Sequence, residues 1–229
     1  MPSFDTAVFD IDGTLLDSNY HHAIAWSRAF DEVLDHHVPV SAIHRAIGMG
    51  GDRLVAAVAG DAAEARHGDA IRDRWEREYD RLLGQTQLLD GAYELLVAVG
   101  KAGLEVVLAS SSIPKHAARP LDLLEADRHS DAWTTSEDAG QSKPSPELLD
   151  RAFDKVGGGR AVMVGDAVWD VEAANRRDLP TIGLLTGGYG REELLEAGAL
   201  AVYDDPRDLL AHLDEAFGTS GGAHPRRDR

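Results

Sequence analysis

Short apolar runs rich in β-branched residues alternate along the chain with segments of helical periodicity. Strands are predicted at Ala7–Ile11, Leu104–Ala109, Ala161–Val164, Thr181–Leu185 and Leu200–Tyr203. Helices are predicted at Gly91–Ala102, Pro146–Val156, Val168–Arg177 and Asp205–Phe217. Strands that read as continuous apolar runs are typical of a parallel sheet covered by helices on both faces. The pattern therefore predicts an α/β fold with a Rossmann-like, doubly wound parallel sheet.

Residues 17–90 interrupt this alternation. They contain no convincing strand, and their helical patterns lie at Asn19–Leu34, Val40–Ile47, Asp52–Val58 and Asp61–Leu83. An all-helical insertion directly after the first strand predicts a small cap domain over residues 17–90. The core domain would then comprise residues 1–16 and 91–217. Residues 218–229 are rich in Gly, Pro and Arg with no apolar face, so we expect them to be disordered.

Composition adds limits on the class of protein. The chain is 43% hydrophobic and 28% charged, as soluble globular proteins are. No apolar run approaches the roughly 20 residues that a membrane span needs, and the N-terminus lacks the basic start and long apolar core of a signal peptide. The absence of Cys excludes disulfides, a thiol nucleophile and a thiolate metal site. We therefore expect a cytoplasmic protein, a monomer by default, with no membrane partner.

The charge balance disfavours polyanionic partners. Lys and Arg number 23 against 40 Asp and Glu, which gives 23 − 40 = −17. Binding to nucleic acid or to an anionic membrane depends on basic contacts, so we expect neither partner. Any anion site must be built locally from a metal, a lysine and backbone amides.

The stretch VFDIDGTLL places Asp10 and Asp12 at the end of the first predicted strand. Burying a carboxylate is costly unless something pairs with it. An Asp-Gly turn explains Asp12 but leaves Asp10 unexplained. In open α/β sheets ligands bind beyond the carboxyl ends of the strands, which is where both aspartates are expected to lie.

Polar residues follow the other predicted strands as well. The second strand runs into Ser110, Ser111 and Ser112, and Asp166 and Asp170 follow the third. Lys143 lies between them within SKPSPE. Each feature alone is explained by an ordinary loop, a solvated lysine or a helix N-cap. Their coincidence at consecutive strand ends indicates one pocket for a phosphoryl group and a metal.

These residue types match the chemistry of phosphoryl transfer. An ionised Asp can attack phosphorus and carry the phosphoryl group covalently, while a second carboxyl protonates the leaving oxygen and later deprotonates water. Mg²⁺ prefers oxygen ligands, and a lysine with hydroxyl or amide donors can hold the remaining phosphoryl oxygens.

In these ordered motifs the sequence resembles the haloacid dehalogenase superfamily over nearly its whole length. The motifs are DIDGT at Asp10, Ser110, Lys143 in KPSPE, and Gly165-Asp166 with Asp170. A helical insertion after the first strand resembles the subclass that includes phosphoglycolate phosphatases and β-phosphoglucomutases. The resemblance implies a phosphatase that hydrolyses a small phosphorylated metabolite.

The resemblance also implies a role for each motif residue. Asp10 would be the nucleophile that forms an aspartyl-phosphate, and Asp12 the general acid and base. Phosphate would be bound by Ser110, Ser111 and Lys143. Magnesium would be bound by Asp10, Asp12 through its carbonyl, Asp166 and Asp170, the last of which would ligate the metal or orient Lys143. In this superfamily an Asp at the position of Asp12 implies a phosphate ester substrate and not a halide.

A sugar-phosphate mutase related to β-phosphoglucomutase is the alternative. The stretch from Asp17 to Trp26 resembles the start of the mutase cap, with His22 where those enzymes carry a functional histidine. The GDAVWD stretch follows the phosphatase form, and the expected cap lysine is missing near Arg72, so we favour the phosphatase. His22 is a possible substrate-specificity residue, although we favour the simpler interpretation of a histidine on the helix surface. An inactive binding protein on the same scaffold is disfavoured because all four motifs are intact.

The substrate is not determined by these motifs. Arg53, in the cap segment IGMGGDR, is a candidate specificity residue that could meet a carboxylate or a second phosphate. A flexible helix connection with a solvated arginine explains it equally well. Phosphoglycolate, sugar phosphates and nucleotides all remain open.

Overall fold

A computed structural model describes residues 4–156 and 159–218 of the protein. The strands in these ranges are β1 (Thr6–Phe9), β2 (Leu16–Asp17), β3 (Gln87–Leu88), β4 (Glu105–Ala109), β5 (Ala132–Thr134), β6 (Ala161–Gly165), β7 (Thr181–Leu184) and β8 (Ala201–Tyr203). The helices in the first half are α1 (Asn19–Val33), α2 (Val40–Ala46), α3 (Gly51–Ala59), α4 (Asp61–Leu82), α5 (Ala92–Lys101) and α6 (Pro114–Leu123). They are followed by α7 (Ala126–His129), α8 (Glu147–Asp154), α9 (Val168–Asn175), α10 (Arg191–Ala197), α11 (Pro206–Ala211) and α12 (Leu213–Phe217).

Six of the described strands form one parallel sheet in the order β5-β4-β1-β6-β7-β8. The central strand β1 pairs with β4 and β6 in register, so that Val8 lies beside both Val107 and Met163. The chain first runs outward to β5, returns to β6, and then continues to β8. The strand order therefore reverses at β1, and the predicted doubly wound Rossmann-like sheet is confirmed.

Alternate side chains of the central strands enter two separate apolar layers. Phe9, Leu108 and Val164 pack with Leu95 of α5 and Phe217 of α12 on one face. On the other face, Val8, Val107 and Met163 pack with side chains of α8 and α9. Successive residues of a strand point to opposite faces, so a strand that is apolar throughout must be covered on both sides.

Helices α1 to α4 surround an apolar cluster of their own. Its largest members are Trp26, Phe30, Ile43, Leu54 and Ile71. The segment is joined to the sheet by an antiparallel ribbon in which Leu16 pairs with Leu88 and Asp17 with Gln87. The expectation of no strand in residues 17–90 is therefore wrong at Asp17 and at Gln87–Leu88, because a two-residue strand is too short to produce a hydrophobic period.

Other elements also lacked a usable sequence signal. Strand β5 has only three residues, and α6 carries Pro120 in its interior, where proline disfavours a helix. Helices α7 and α10 were not predicted, and the helix expected at Asp205–Phe217 is divided in two at His212. Of the expected disordered tail, residues 219–229 lie outside the described residues. Among the described helices, none combines the length and the apolar character needed to span a membrane.

Adjacent leucines on α10 provide a test of how this helix packs. Leu194 is fully buried against Val171 and Val202, whereas Leu195 is 45% exposed. We expect Leu194→Ala to lower the free energy of unfolding by about 2–5 kcal/mol, because a buried cavity is created. Leu195→Ala, the matched control, should cost about 0.5 kcal/mol or less. Equal losses in urea denaturation would contradict this placement of α10.

Candidate active site

Asp10 lies directly beyond the central strand. Its backbone N–H donates to the carbonyl of Val164 at 2.9 Å, which extends the pairing of β1 with β6 by one residue. The residue is 4% exposed, and its side chain forms an ion pair with Lys143. The residue therefore lies at the reversal point of the sheet, with its carboxylate held by a buried cation.

A tight turn follows Asp10 and brings several side chains together. The carbonyl of Ile11 accepts hydrogen bonds from the backbone N–H groups of Leu15 (2.9 Å) and Leu16 (3.0 Å). Gly13 has a φ of +82°, and an added Cβ would clash with the side chains of Asn19 and Asp166. Glycine is required there both by the backbone conformation and by the close approach of Asp166.

The carboxylate of Asp12 contacts different side chains from those that contact Asp10. Its carboxylate accepts hydrogen bonds from Ser18 Oγ (2.7 Å) and Ser112 Oγ (2.8 Å), and lies 3.2 Å from Nε2 of His22. Burial raises the pKa of Asp12, but His22 and the two hydroxyls outweigh it and hold that pKa well below its usual range. The two aspartates of the motif therefore have different environments.

Lys143 is the buried cation of the site. It is 1% exposed and contacts both Asp10 and Asp170, the latter at 2.7 Å. Burial lowers the pKa of Lys143, but the two carboxylates outweigh it and raise the pKa above its usual value. Asp170 also accepts the backbone N–H groups of Asp166 (3.2 Å) and Ala167 (3.1 Å) at the start of α9. Of the two roles considered for Asp170, its position next to Lys143 fits the orienting one directly.

Asp166 is held by two neutral donors. Thr14 Oγ1 donates to it at 2.6 Å and Asn19 Nδ2 at 2.9 Å. Burial, aided by the charge of Asp170, raises the pKa of Asp166 to about 7. The buried Oδ1 of Asn19 has no hydrogen-bond partner among the described residues. Asp166 thus lies in a buried environment that disfavours its own charge.

The buried carboxylates could hold a metal ion. Oxygens of Asp10, Asp166 and Asp170 lie within 4.8 Å of one another, and burial also raises the pKa of Asp10 well above its usual value. Three carboxylates against one lysine leave an excess of negative charge that a divalent cation would neutralise. An all-oxygen donor set suits a hard cation such as Mg²⁺, so these residues fit the expected metal. The carboxylate of Asp12 is not part of this group and is bonded to Ser18, Ser112 and His22.

The three serines after β4 have different surroundings. Ser110 Oγ accepts the backbone N–H of Ser112 at 3.0 Å, and Ser112 Oγ is used by Asp12. Ser111 Oγ is buried and has no hydrogen-bond partner in the part of the chain that is described. Ser111 lines a small cavity together with Asp10 and Asp12. Its hydroxyl is therefore available for a ligand next to the two aspartates.

His22 is buried, so its interpretation as a helix-surface residue is wrong. It is 6% exposed, and its ring stacks on that of Tyr79 with 3.8 Å between ring centroids. Its spacing from Trp26 and Phe30 is i, i+4, i+8, and residues at this spacing share one face of a helix. This spacing was a usable sequence signal that His22 is buried, because the large apolar residues Trp26 and Phe30 mark the buried face of the helix. Both are buried in the structure.

Arg53 does not reach the aspartates. It lies on α3, and its guanidinium donates to Oε1 of Gln141 at 2.5 Å. It does not line the small cavity beside Asp10, nor a larger neighbouring cavity of about 300 Å³.

Several residues of the site were missed by sequence reasoning. They are Thr14, Ser18, Asn19, Tyr79 and Ser112. Thr14 lies within the DIDGT motif, and Ser112 lies within the serine run, so both stretches had already been singled out. For Tyr79 the signal was weaker, because its contact with His22 joins two helices far apart in the sequence.

Comparisons with known protein families agree with this geometry. A family model described as haloacid dehalogenase-like hydrolase matches residues 4–177, and a second, HAD-hydrolase-like model matches residues 141–216. The first match covers most of the chain and includes all the aspartates described above and Lys143.

Individual relatives match over most of their length. The chain is 30% identical to a phosphoglycolate phosphatase of Rhodospirillum rubrum, covering 86% of each protein. It is 27% identical to an N-acetylmuramic acid 6-phosphate phosphatase of Pseudomonas aeruginosa, over 92% of this chain and 95% of that one. Among solved structures, a hydrolase from Pseudomonas syringae aligns with a TM-score of 0.85 at 37% identity, over 92% of this chain and 98% of the other.

The raised pKa of Asp166 leads to a prediction about stability and pH. Between its ordinary value of 3.8 and about 7, the folded protein binds more protons at this group than the unfolded chain does. This group's contribution to stability therefore falls as the pH rises through that interval. Without divalent cations, the stability of Asp166→Asn relative to the wild type should increase as the pH rises through the same interval.

Urea denaturation in a chelating buffer at several pH values measures this difference. Glu196→Gln, which removes an exposed carboxylate on α10, is the control and should show no comparable trend. A difference between Asp166→Asn and wild type that stays constant across the interval would show that Asp166 is not in a charge-disfavouring environment.

Proposed function

The chain belongs to the haloacid dehalogenase-like hydrolase family and is a phosphatase, and from this premise we propose that it hydrolyses a small phosphorylated metabolite through Asp10 with Mg²⁺ as cofactor. One observation carries the proposal: Asp10 is held by buried Lys143 at the reversal point of the sheet, beside Asp166 and Asp170. Asp12 lies among separate partners, as a second carboxyl with a different role requires.

In the first step Asp10 acts as nucleophile. A carboxylate oxygen forms a bond to phosphorus while the bond from phosphorus to the alcohol oxygen breaks, which yields an aspartyl-phosphate and the alcohol. Lys143 opposes the effect of burial on Asp10 and favours its ionised form. In the second step water displaces the Asp10 oxygen and releases inorganic phosphate.

The phosphoryl oxygens need donors that are already in place. We assign Lys143, Ser110 and Ser111 to them, because Lys143 is buried and cationic and Ser111 Oγ has no other described partner. Preorganised donors of this kind stabilise charge in the transition state without reorganisation.

Asp10, Asp166 and Asp170 would hold the Mg²⁺, with the carbonyl of Asp12 as an expected further ligand. The cation would neutralise charge on the carboxylates and on the transferring phosphoryl group. Asp170 keeps its contact with Lys143 in this assignment, so it positions the lysine as well.

We assign proton transfer to Asp12 together with His22. Asp12 gives a proton to the leaving alcohol oxygen and later accepts one from the attacking water. The structure favours the ionised form of Asp12, which is the form that accepts a proton from the attacking water. To donate a proton to the leaving alcohol, Asp12 must first be protonated when substrate binds. His22 lies 3.2 Å from its carboxylate, close enough for the two side chains to share that proton.

Residues 17–90 are proposed to act as a cap over a core of residues 1–16 and 91–217. His22 of α1, the segment 47–51 and Trp75 of α4 line the cavity that also contains Asp10 and Asp12. Side chains of the insertion therefore surround the reacting groups, and they would exclude water and contact the alcohol portion of the substrate.

Substitution of the nucleophile tests the mechanism. We expect Asp10→Asn to lower kcat/KM for phosphate esters in the presence of Mg²⁺ by about 10³-fold or more. Asp12→Asn should slow the release of phosphate, so that a phosphorylated protein accumulates and is seen by mass spectrometry after acid quenching. That adduct should be absent from Asp10→Asn.

Glu196→Gln serves as the control and should keep full activity, because the residue is exposed on α10. Undiminished turnover by Asp10→Asn would exclude Asp10 as the nucleophile. Activity that is the same with Mg²⁺ and with a chelator would exclude the cofactor assignment. Conversion of β-glucose 1-phosphate without release of phosphate would favour the mutase alternative.

A further inference from the structure

A larger cavity adjoins the small one that contains Asp10 and Asp12. Its volume is about 300 Å³, and the two cavities share the wall residues Gly50, Gly51, Trp75 and Ser111. This volume is at the lower end of the range for small-molecule sites. If Asp10 receives the phosphoryl group, as proposed above, the larger cavity is the space available to the rest of the substrate.

The charged groups in its wall are mainly acidic. Asp52 of α3 and Asp73 and Glu76 of α4 line it, together with one cation, Arg72. Asp73 forms no ion pair within the described residues. Asp52 accepts the backbone N–H of Ser142 at 3.2 Å, and Glu76 contacts Lys115 at 3.0 Å. Asp73 is thus a carboxylate in the wall with no protein cation to neutralise it.

Arg72 is already committed to other partners. Its guanidinium donates to Glu64 at 2.9 Å, to Asp69 at 2.8 Å and to the carbonyl of Gly51 at 3.2 Å. Arg53, the other candidate for an anionic group, does not itself line the cavity, and its guanidinium donates to Oε1 of Gln141, which does. Within the described part of the chain, the cavity wall therefore offers no unpaired cation to a substrate carboxylate.

The remainder of the wall provides polar groups suited to hydroxyls. Ser136, Gln141 and Ser142 come from the core side, between β5 and α8. From the other side, Trp75 contributes an indole whose Nε1 is buried and has no hydrogen-bond partner in the described ranges. A buried donor without a partner is costly, so a hydroxyl or carbonyl oxygen of a ligand would be stabilised there.

We infer that the alcohol released by this enzyme carries a positively charged amine, so that the substrate is the phosphate ester of an amino sugar or a similar amino alcohol. Asp73, aided by Asp52 and Glu76, would pair with the ammonium group, while Lys143 and the metal hold the phosphate at the opposite end. Asp52 and Asp73 are exposed and Glu76 is half-buried, so salt and water screen their charge in part. A carboxylated alcohol would still place like charges side by side at this wall, which is unfavourable. The inference rests on the proposed function, because it assigns the same site a class of substrate.

Two matched sets of esters test the inference. One is glucosamine 6-phosphate, glucose 6-phosphate and 6-phosphogluconate, and the other is phosphoethanolamine, 2-hydroxyethyl phosphate and phosphoglycolate. Within a set the leaving group is cationic, neutral or anionic at similar size. In at least one set we expect kcat/KM for the amine to exceed that for the neutral ester by about tenfold, with the acid lowest. The preference should weaken at high salt.

Asp73→Asn should lower kcat/KM for the preferred amine by about fivefold or more, and Asp73→Lys should shift the preference toward the acid. Hydrolysis of p-nitrophenyl phosphate, which lacks the amine, should change much less than hydrolysis of the amine ester, so the ratio of the two kcat/KM values reports recognition of the amine. Glu196→Gln makes the same change of charge as Asp73→Asn on a distant helix and should leave the preference unchanged.

The outcomes separate this inference from the proposed function. Failure to hydrolyse any ester, p-nitrophenyl phosphate included, would overturn the proposed function. Hydrolysis of p-nitrophenyl phosphate without preference for the amine in either set, or with preference for the acid, would overturn only the inference. A preference for the amine that Asp73→Lys leaves intact would also overturn it, because the carboxylate would then not be the recognising group.

Discussion

The ion pairs of Lys143 with Asp10 and Asp170 impose the main constraint on this structure. All three side chains are buried, and a buried charge that loses its partner costs several kcal/mol. A third carboxylate, Asp166, lies beside them and leaves the group with excess negative charge. Burial, aided by the charge of Asp170, raises the pKa of Asp166 to about 7, and the excess of negative charge favours the binding of a cation. A site that is unfavourable by itself is thereby suited to a divalent metal and a phosphoryl group that bind together.

The sheet explains how these charges are held close together. Strands β1 and β6 are neighbours, so Asp10 and Asp166 leave the sheet side by side. Asp170 is fixed by backbone N–H groups at the start of α9, and it in turn fixes Lys143. The three carboxylates are therefore positioned by backbone geometry close to a strand end, and Lys143 is positioned by its ion pairs with two of them. Rigid placement of this kind is what lets buried charges act on a transition state without first rearranging.

The parts of the site that follow strand ends could be predicted from the sequence, and the parts that depend on packing between distant helices could not. Asp10 and Asp166 stand out because a strand pattern is followed by carboxylates that a buried strand end does not favour, and Lys143 stands out as a lone lysine among the prolines of SKPSPE. His22 carries a weaker signal, its helical spacing from Trp26 and Phe30, and that spacing indicates a buried helix face without showing the contacts with Asp12 and Tyr79. For Arg53 the sequence suggested a specificity residue, but its contact with Gln141 was set by a fold that local patterns do not reveal.

The charges of the site are divided between the two ends of a bound ester. Lys143 and the proposed metal lie at the phosphoryl end and are positioned by the sheet, whereas the carboxylates Asp52 and Asp73 lie on helices α3 and α4. In the proposed mechanism the chemical step depends on the first group, and the inferred choice of alcohol depends on the second. Lys143 forms its ion pairs with Asp10 and Asp170 and not with either of these two carboxylates, so the charge of the cavity wall can change without breaking those pairs. Relatives that act on different phosphate esters are consistent with this separation, because one reaction can then be combined with many cavity walls.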